Sequence, residues 1–379
     1  MDLLKGIRVL DLTRLYPGPF CTMLLADMGA EVIKVESPSE GDYMRLMGPM
    51  DGELSLYFRL LNRNKKSMTL NLKKREGVEL FLRLAREADV VVEGFRPGVV
   101  EALGIGYQAV QSANPEIIYC SISGYGQDGP YRERAGHDIN YIALAGILGL
   151  TGSKEGPPVV PSVQIGDVGG GSQMAVMAIL AALLARFRGG GGRYLDVAML
   201  DGLVAWLPLA AAELFAGRPA ERGGMMLNGG VACYGVYRTA DDGYMSLGAL
   251  EPKFWAEFCR AVGREDLAAQ QYQPDQKSLQ QEVAAIFSSR SRREWEEIFE
   301  PVDACCEPVL GLAEAFAHPQ SQARGLLGSQ VLAFPVKISG QDRRPDGPSP
   351  CLGQHTQEVL RAAYYTEQEI ALLVSQGIV

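Results

Sequence analysis

The stretches Arg8-Val9-Leu10-Asp11-Leu12, Pro17-Gly18-Pro19 and Glu31-Val32-Ile33-Lys34-Val35 determine the fold class of this chain. The first and third are short and apolar enough to form buried strands, and the prolines between them predict the start of a helix that stops near Gly29. A strand, a helix and a second strand in this order are typical of a βαβ unit with a parallel sheet. The sequence therefore predicts an α/β fold.

The same alternation continues along the chain. Further strands are predicted at Thr69–Leu72, Val90–Val92, Ile117–Ser121 and Tyr194–Val197, and helices at Arg75–Ala88, Ile142–Leu148 and Ser172–Phe187. From Met225 onward the pattern changes, because two strands joined by the turn Asp241-Asp242-Gly243 favour local antiparallel pairing. Helices follow at Lys253–Val262, Gln280–Ser288, Arg293–Phe299 and Thr366–Gln376. A second segment of α+β character is therefore expected after the parallel part.

Composition excludes several classes of protein. The 379 residues are 47% hydrophobic and carry a net charge of −9, which excludes a disordered chain and a basic nucleic-acid binder. The longest apolar run, Met174 to Ala185, is 12 residues, shorter than the roughly 20 that span a bilayer. The seven cysteines form no C-x-x-C pair and there are only three histidines. We therefore expect a reduced, cytoplasmic protein without a metal site, a membrane or a nucleic-acid partner.

A nicotinamide cofactor is not expected in this Rossmann-like fold. The turn after the first strand, Thr13–Phe20, contains no G-x-G-x-x-G motif. Two prolines also stand where backbone N–H groups would face a pyrophosphate.

Three polar stretches contain the candidate functional residues. In Gly136-His137-Asp138-Ile139-Asn140-Tyr141, His137 is either a structural partner of Asp138 or a proton carrier. In Gly166-Asp167-Val168-Gly169-Gly170-Gly171-Ser172, the carboxylate and serine suit a helix N-cap, and the three glycines would also let a ligand approach the helix start. Glu251 before Pro252 suits an N-cap unless it faces a cleft. Met225 and Met226 are core residues or an adaptable apolar surface.

Taken together, these stretches resemble the class III CoA-transferase (CaiB/BaiF) superfamily. The resemblance is carried in order along nearly the whole chain by Gly6–Leu12, Pro17–Phe20, Leu24–Ala30, Asn62–Leu72, Glu93–Gly98, Gly124–Gly126 and His318–Gln320. Within the superfamily, His137, Asp167 and Glu251 in their local motifs resemble the α-methylacyl-CoA racemase branch.

The resemblance implies a particular architecture. A large Rossmann-like α/β domain of residues 1–225 and 320–379 would be built from both chain ends, with a smaller α+β domain of residues 226–319 inserted between them. Two subunits would interlock as a homodimer, with each active site between the large domain of one subunit and the small domain of the other.

It also implies a chemistry. His137 and Asp167 would carry the α-proton of an acyl-CoA to and from the two faces of an enolate, and Glu251 would orient His137 and stabilise its charge. CoA is part of the substrate, and no separate cofactor is implied. The CoA contacts carried over by position are Thr69, Leu70, Asn71, Leu72, Arg96, Gly136, Asp138, Asn140 and Tyr141. Racemases carry an arginine where this chain has Ser37, and Lys34 or Arg45 could replace it.

Two other functions stay open at this point. In the transferase branch the residue matching Asp167 is a nucleophile that forms acyl anhydrides, so Asp167 does not separate the two enzymes, whereas His137 favours the racemase. An acyl-CoA-binding regulator would leave the set of His137, Asp167 and Glu251 unexplained.

Overall fold

The structure is a computed structural model that describes residues 1–328, 330–341 and 347–379. In chain order the strands are β1 Arg8–Asp11, β2 Glu31–Glu36, β3 Met50–Asp51, β4 Leu54–Ser55, β5 Lys66–Thr69, β6 Val90–Glu93, β7 Ile118–Ser123, β8 Arg193–Ala198, β9 Tyr234–Arg238, β10 Tyr244–Gly248, β11 Cys306–Pro308, β12 Leu327–Gly328 and β13 Val331–Leu332. The helices are α1 Pro17–Asp27, α2 Leu56–Asn62, α3 Arg75–Ala85, α4 Val99–Leu103, α5 Tyr107–Ala113, α6 Asp138–Leu144, α7 Ile147–Leu150, α8 Met174–Phe187, α9 Met199–Val204, α10 Pro208–Phe215, α11 Pro252–Ala261, α12 Gln276–Phe287, α13 Arg292–Phe299, α14 Leu312–Ala317, α15 Pro319–Ala323, α16 Thr356–Ala362 and α17 Glu367–Ser375.

Six parallel strands form one sheet, in the order β5-β2-β1-β6-β7-β8. The strands β1, β2 and β5 follow one another toward one edge of the sheet, and β6 then pairs with the other side of β1. Val9 of β1 therefore pairs with Val32 of β2 and with Val90 of β6. The predicted α/β class with a parallel sheet is confirmed. The direction of winding reverses between β1 and β6, and in open parallel sheets ligands bind at the carboxyl ends of the strands at such a point.

Apolar side chains cover both faces of this sheet, as the run of buried strand residues requires. One face packs Leu10 and Val91 against α3 and the C-terminal helices α16 and α17, through Phe81 and Leu360 among others. The other face packs Val9 against α1 and α8. The four inner strands β2, β1, β6 and β7 thus contribute residues to two separate cores.

The described chain divides into two compact units, one of residues 1–145, 162–206 and 324–379, the other of residues 146–161 and 207–323. The first contains the parallel sheet. The second has an antiparallel sheet in the order β11-β10-β9 and its own core around Trp255, Phe258 and Phe287. The antiparallel pairing predicted around Asp241-Asp242-Gly243 is confirmed, with Tyr244 opposite Arg238.

Three predicted boundaries are wrong. The third strand covers Lys66–Thr69 rather than Thr69–Leu72, because its polar side chains find partners inside the fold: the Ser67 hydroxyl donates to Glu36 (2.7 Å) and Lys66 pairs with Glu31 (2.6 Å). The helix predicted from Ile142 begins earlier, at Asp138.

The helix predicted from Ser172 also begins earlier. A wide helical segment, Gly166–Gln173, runs directly into α8, so the glycines lie inside the helix instead of before it. The resulting stretch of 22 residues, Gly166–Phe187, has the length and composition of a membrane span. Core helices of soluble proteins pass the same test, and Ala175, Ile179 and Leu183 of this helix are buried in a core of the first unit. The absence of a membrane partner stays a prediction.

Candidate active site

A cleft of about 470 Å³ lies at the carboxyl ends of β1, β6 and β7, where the winding of the sheet reverses. The loops that follow these three strands line it with Arg14, Arg96 and Tyr125. It lies wholly within the first unit. The topology therefore places a cleft where α/β sheets bind ligands.

This cleft brings together six of the residues singled out in the sequence. His137 and Asp167, which are 30 positions apart in the chain, both line it. The others are Arg96, Gly136, Asn140 and Tyr141. The imidazole and the carboxyl that were predicted to carry the proton thus line the same cleft.

Asp138 joins the two turns that carry His137 and Asp167. Its Oδ1 accepts hydrogen bonds from the backbone N–H groups of Gly166 (2.6 Å) and Asp167 (2.9 Å). The side chain of Asp138 therefore fixes the position of the Asp167 backbone from within the fold. It also occupies the first N–H groups of the helix, which for that reason do not face a ligand.

His137 stands at the N-cap of α6, where it is exposed. Its backbone N–H donates to Oδ1 of Asn140 (3.0 Å), and the Tyr141 hydroxyl donates to the carbonyl of Gly136 (2.6 Å). A Cβ on Gly136 would lie 2.6 Å from the Tyr141 ring, so only glycine allows this closeness. Asn140, Tyr141 and Gly136 together hold the helix start that presents His137.

Burial, and to a lesser extent the neighbouring charge of Asp138, together raise the pKa of the Asp167 carboxyl from its ordinary 3.8 to about 7. The pKa of the Tyr16 hydroxyl is also raised, first by burial and then by the charges of Asp167 and Asp138. A carboxyl with a pKa near neutrality populates both protonation states, which general acid–base catalysis requires.

The glycines after Asp167 serve packing between helices. A Cβ on Gly170 would lie 2.5 Å from the carbonyl oxygen of Met199, and one on Gly169 would lie 2.0 Å from the Trp206 ring. On the other side of the contact, a Cβ on Gly202 would lie 2.2 Å from the carbonyl oxygen of Gly170. The close approach that the glycines permit in this structure is therefore to α9 and Trp206, and the approach of a ligand to the start of the helix stays a prediction.

Four arginines line the cleft, although the chain as a whole is acidic: Arg14, Arg96, Arg132 and Arg134. The Arg14 guanidinium lies over the rings of Tyr43 (5.2 Å) and Phe95 (5.0 Å), which fixes its direction. Sequence reasoning found only Arg96. The signal for Arg14 was its place directly after β1, beside the point where the sheet reverses.

The expected replacements for the missing arginine at Ser37 are wrong. The Lys34 ammonium is fully buried, where it donates to the carbonyl of Thr13 (2.7 Å) and pairs with Asp42 (2.9 Å). Arg45 forms two hydrogen bonds with the carboxylate of Glu36 (2.8 and 2.7 Å) and is also buried. Both cations are neutralised inside the fold and present no charge to a phosphate.

The stretch Thr69, Leu70, Asn71 and Leu72 lies elsewhere in the first unit and none of its residues lines this cleft. The N–H of Thr69 donates to the Thr356 hydroxyl (3.0 Å), and that of Asn71 to the carbonyl of Ile378 (2.7 Å). The Leu70 side chain is only 2% exposed. The stretch therefore joins the C-terminal segment to the sheet.

Glu251 belongs to the second unit, where it is the exposed N-cap of α11 and is followed by Pro252 at the first helical position. The helix-cap alternative is confirmed for the backbone of Glu251, although its side chain makes no capping hydrogen bond.

Two other predictions concern Met226 and a metal site. In the second unit Met226 is 52% exposed, so it is not a core residue. No group of three or more His, Cys, Asp or Glu residues is arranged to hold a metal ion in the described part of the chain.

Known proteins of one family are similar to this chain over nearly its whole length. The model of the family described as CoA-transferase family III matches residues 4–356. The α-methylacyl-CoA racemase of Mus musculus is 37% identical over 389 residues, covering 99% of this chain and 97% of that protein. The succinyl-CoA:glutarate CoA-transferase of Homo sapiens is 36% identical over 394 residues, covering 99% of this chain and 90% of that protein.

A solved structure of a CaiB/BaiF family protein from Brucella suis is also similar. It superposes with a TM-score of 0.83 at 32% sequence identity and covers 95% of this chain and 99% of its own. The chain belongs to CoA-transferase family III, the CaiB/BaiF family, whose similar members include both racemases and CoA-transferases.

Proposed function

We propose that this protein is an α-methylacyl-CoA racemase that interconverts (R)- and (S)-2-methylacyl-CoA thioesters through an enolate. The observation that carries the proposal is that His137 and Asp167 line one cleft, in which the pKa of Asp167 lies near neutrality. Inversion of a carbon needs one group to remove the proton and a second to return it, and this pair provides both.

The reaction uses the two residues alternately. For one enantiomer neutral His137 removes the α-proton and protonated Asp167 returns one, and for the other enantiomer the roles are reversed. The pKa of Asp167 makes both of its protonation states accessible near neutral pH. The arginines of the cleft, Arg14, Arg96, Arg132 and Arg134, bind the phosphate groups of CoA.

The second candidate is a CoA-transferase that moves CoA between carboxylic acids. It is favoured by the similarity to transferases and by Asp167, whose carboxylate would attack the thioester and form an acyl anhydride. His137 has no role in that reaction. The function of His137 therefore separates the two candidates.

Glu251 enters the proposal through a homodimer. It lies in the second unit of its own chain, and we propose that it orients His137 of the other subunit and stabilises its charge when two chains interlock. The active enzyme is then a dimer, and an active monomer at assay concentration in sedimentation experiments would exclude this arrangement.

Hydrogen exchange at the α-carbon tests the reaction directly. One enantiomer of a 2-methylacyl-CoA, incubated with the enzyme in deuterated water and without any acceptor acid, should take up deuterium at the α-carbon and lose its optical purity. Turnover that requires a second carboxylic acid would instead establish the transferase.

His137→Asn provides the discriminating variant, with His318→Asn as its matched control, since His318 lies outside the cleft. The asparagine stays polar but carries no proton near neutral pH, so racemisation should fall at least about a hundredfold, equivalent to about 2.7 kcal/mol of barrier. The control should keep full activity. Capture of an acyl group on Asp167 by hydroxylamine, together with turnover that tolerates His137→Asn, would overturn the racemase.

A further inference from the structure

The loop that leaves β6 forms part of the wall of the cleft that contains His137 and Asp167. Its residues Gly94, Phe95 and Arg96 all line the cleft. Gly94 and Arg96 are exposed and Phe95 is only half-buried, so little packing fixes the conformation of the loop. A specific contact is therefore needed if Arg96 is to meet a phosphate group in a defined position.

Glu93, the last residue of β6, provides such a contact. Its side chain points into the protein, and only 2% of the residue is exposed. The carboxyl oxygen Oε2 accepts a hydrogen bond from the backbone N–H of Phe95 at 2.7 Å. This hydrogen bond ties the loop to the end of the strand and restricts the direction in which Arg96 leaves the sheet.

The Glu93 carboxyl is itself held by the neighbouring strands. Ser121, which lies beside Glu93 in the register of β6 and β7, hydrogen-bonds to it and is 1% exposed. The Ser121 hydroxyl in turn accepts a hydrogen bond from the hydroxyl of Tyr194 on β8 at 3.1 Å. The acceptor of the Phe95 N–H is thus fixed by three adjacent strands, which are rigid elements of the fold.

The position of Phe95 also affects a second cation of the cleft. The Arg14 guanidinium lies over the rings of Phe95 (5.0 Å) and Tyr43 (5.2 Å) and donates to the Tyr43 hydroxyl at 3.2 Å. Displacement of Phe95 would remove one of the two rings that fix the direction of this guanidinium. A single hydrogen bond at Glu93 therefore bears on both Arg14 and Arg96.

The Glu93 carboxyl serves this purpose as a hydrogen-bond acceptor rather than as a charge. Burial raises its pKa to about 7, against the opposite effect of the hydrogen bonds from Ser121 and from the N–H of Phe95. Near neutral pH a large share of the molecules therefore carries an uncharged Glu93, which still offers a carbonyl oxygen. Glutamine at this position would offer the same kind of acceptor, whereas alanine would offer none.

We propose that Glu93 is a positioning residue for the binding of CoA. Through the N–H of Phe95 it fixes the loop that carries Arg96, and the ring of Phe95 fixes Arg14. The inference rests on the proposed function for the binding of CoA phosphate groups by these arginines. Glu93 does not line the cleft, and it acts only through the residues that do.

Calorimetric titration with CoA near pH 7 tests the proposal. Glu93→Ala should weaken the binding of CoA at least about fivefold, the lower end of the effect of leaving a hydrogen-bonding group without its partner. Glu93→Gln should bind CoA within about twofold of the wild type. Glu101→Ala is the matched control, because Glu101 on α4 is exposed and does not line the cleft, and it should also keep the wild-type affinity.

A substrate without phosphate groups separates positioning from a general loss of structure. The 2-methylbutanoyl thioester of N-acetylcysteamine has the reacting group of 2-methylbutanoyl-CoA but none of its phosphates. For Glu93→Ala we expect KM for the CoA thioester to rise at least about fivefold with kcat unchanged. The kcat/KM for the truncated thioester should stay within about twofold of the wild type.

The two proposals fail in different ways. If no thioester is racemised but the affinity for CoA depends on Glu93 as expected, the positioning role is established and the racemase is not. If Glu93→Ala binds CoA as tightly as the wild type, or if Glu93→Gln is impaired as much as Glu93→Ala, the positioning role is overturned while the racemase stands. An equal loss of kcat/KM for the truncated and the CoA thioester would also overturn it.

A wild-type protein that does not bind CoA would overturn both proposals.

Discussion

At Asp167 the proposed catalytic role and the stability of the folded protein make opposite demands on one side chain. The proposed reaction needs a carboxyl that keeps its proton near neutral pH, and burial together with the charge of Asp138 raises the pKa of Asp167 to about 7. The same burial disfavours the ionised carboxyl in the folded protein. The role that we propose for Asp167 would therefore lower the stability of the folded protein.

Replacement of Asp167 by asparagine should reveal this loss of stability. In the unfolded chain Asp167 ionises near its ordinary pKa of 3.8, whereas in the folded protein it ionises near 7. The folded state thus binds the proton more tightly, and the wild type loses stability as the pH rises from 4 to 7. Asp167→Asn should unfold like the wild type at pH 4 and be about 1–3 kcal/mol more stable above pH 7.

Thermal unfolding of both proteins across this pH range measures the difference. A difference that is constant with pH would mean that the pKa of Asp167 is not raised.

The proposed catalytic roles of His137 and Asp167 are tested separately by His137→Ala and Asp167→Ala. Each should lower the racemisation rate about 10²–10⁴-fold, the usual contribution of a general acid or base. Circular dichroism should show an unchanged fold, because His137 is exposed and Asp167 only partly buried. A variant that keeps more than about a tenth of the activity would remove that residue from the mechanism.

At the level of helices, the glycines that follow Asp167 set how closely the helix that begins at Gly166 packs against α9. The Cβ of Gly170→Ala would lie 2.5 Å from the backbone carbonyl of Met199, which has no freedom to move aside. We expect a loss of about 1–3 kcal/mol of stability, as for other overpacked contacts. Gly149→Ala in α7 is the matched control, since nothing lies within 4 Å of its Cβ and its stability should be equal to or slightly above the wild type. Equal effects of the two substitutions in chemical denaturation would contradict this account.

The same helix shows where prediction from sequence succeeds and where it stops. The strands β1, β2 and β6 were predicted because they are apolar, buried on both faces and bounded by turns. The glycines between Asp167 and Ser172 suggested a ligand, because their packing partners, Gly202 and Trp206, lie more than 30 residues later in the chain. Within a single segment, a run of glycines looks the same whether it permits a close approach of another helix or of a ligand.

For the molecule as a whole, the candidate site was only partly predictable. His137 and Asp167 were identified from their local motifs, but the cleft that they share depends on the order of the strands. A second cleft, of about 660 Å³ and lined mainly by apolar side chains beside the start of α1, was not predicted at all, since its lining comes from several separate segments, and none of them has an unusual pattern of its own. Local sequence patterns predict individual strands and helices, but they do not predict which distant segments come together to form a cleft.

Assembly also decides whether one chain holds a complete active site. If Glu251 acts on His137 of the other subunit, then His137→Ala and Glu251→Ala should each inactivate their homodimers but complement each other in a mixed dimer. Such a dimer contains one site that lacks both residues and one site that has both. Random mixing gives half mixed dimers, each with one of its two sites intact, so the co-expressed variants should recover about a quarter of wild-type activity.

Co-expression with different affinity tags, followed by purification through both tags, isolates the mixed dimer, whose activity should be about half that of the wild type. The purified single variants, mixed without exchange of subunits, provide the inactive control. A mixed dimer that forms but remains inactive would mean that His137 and Glu251 must come from the same chain. The interlocked arrangement would then be wrong, while the pairing of His137 with Asp167 within the first unit would be unaffected.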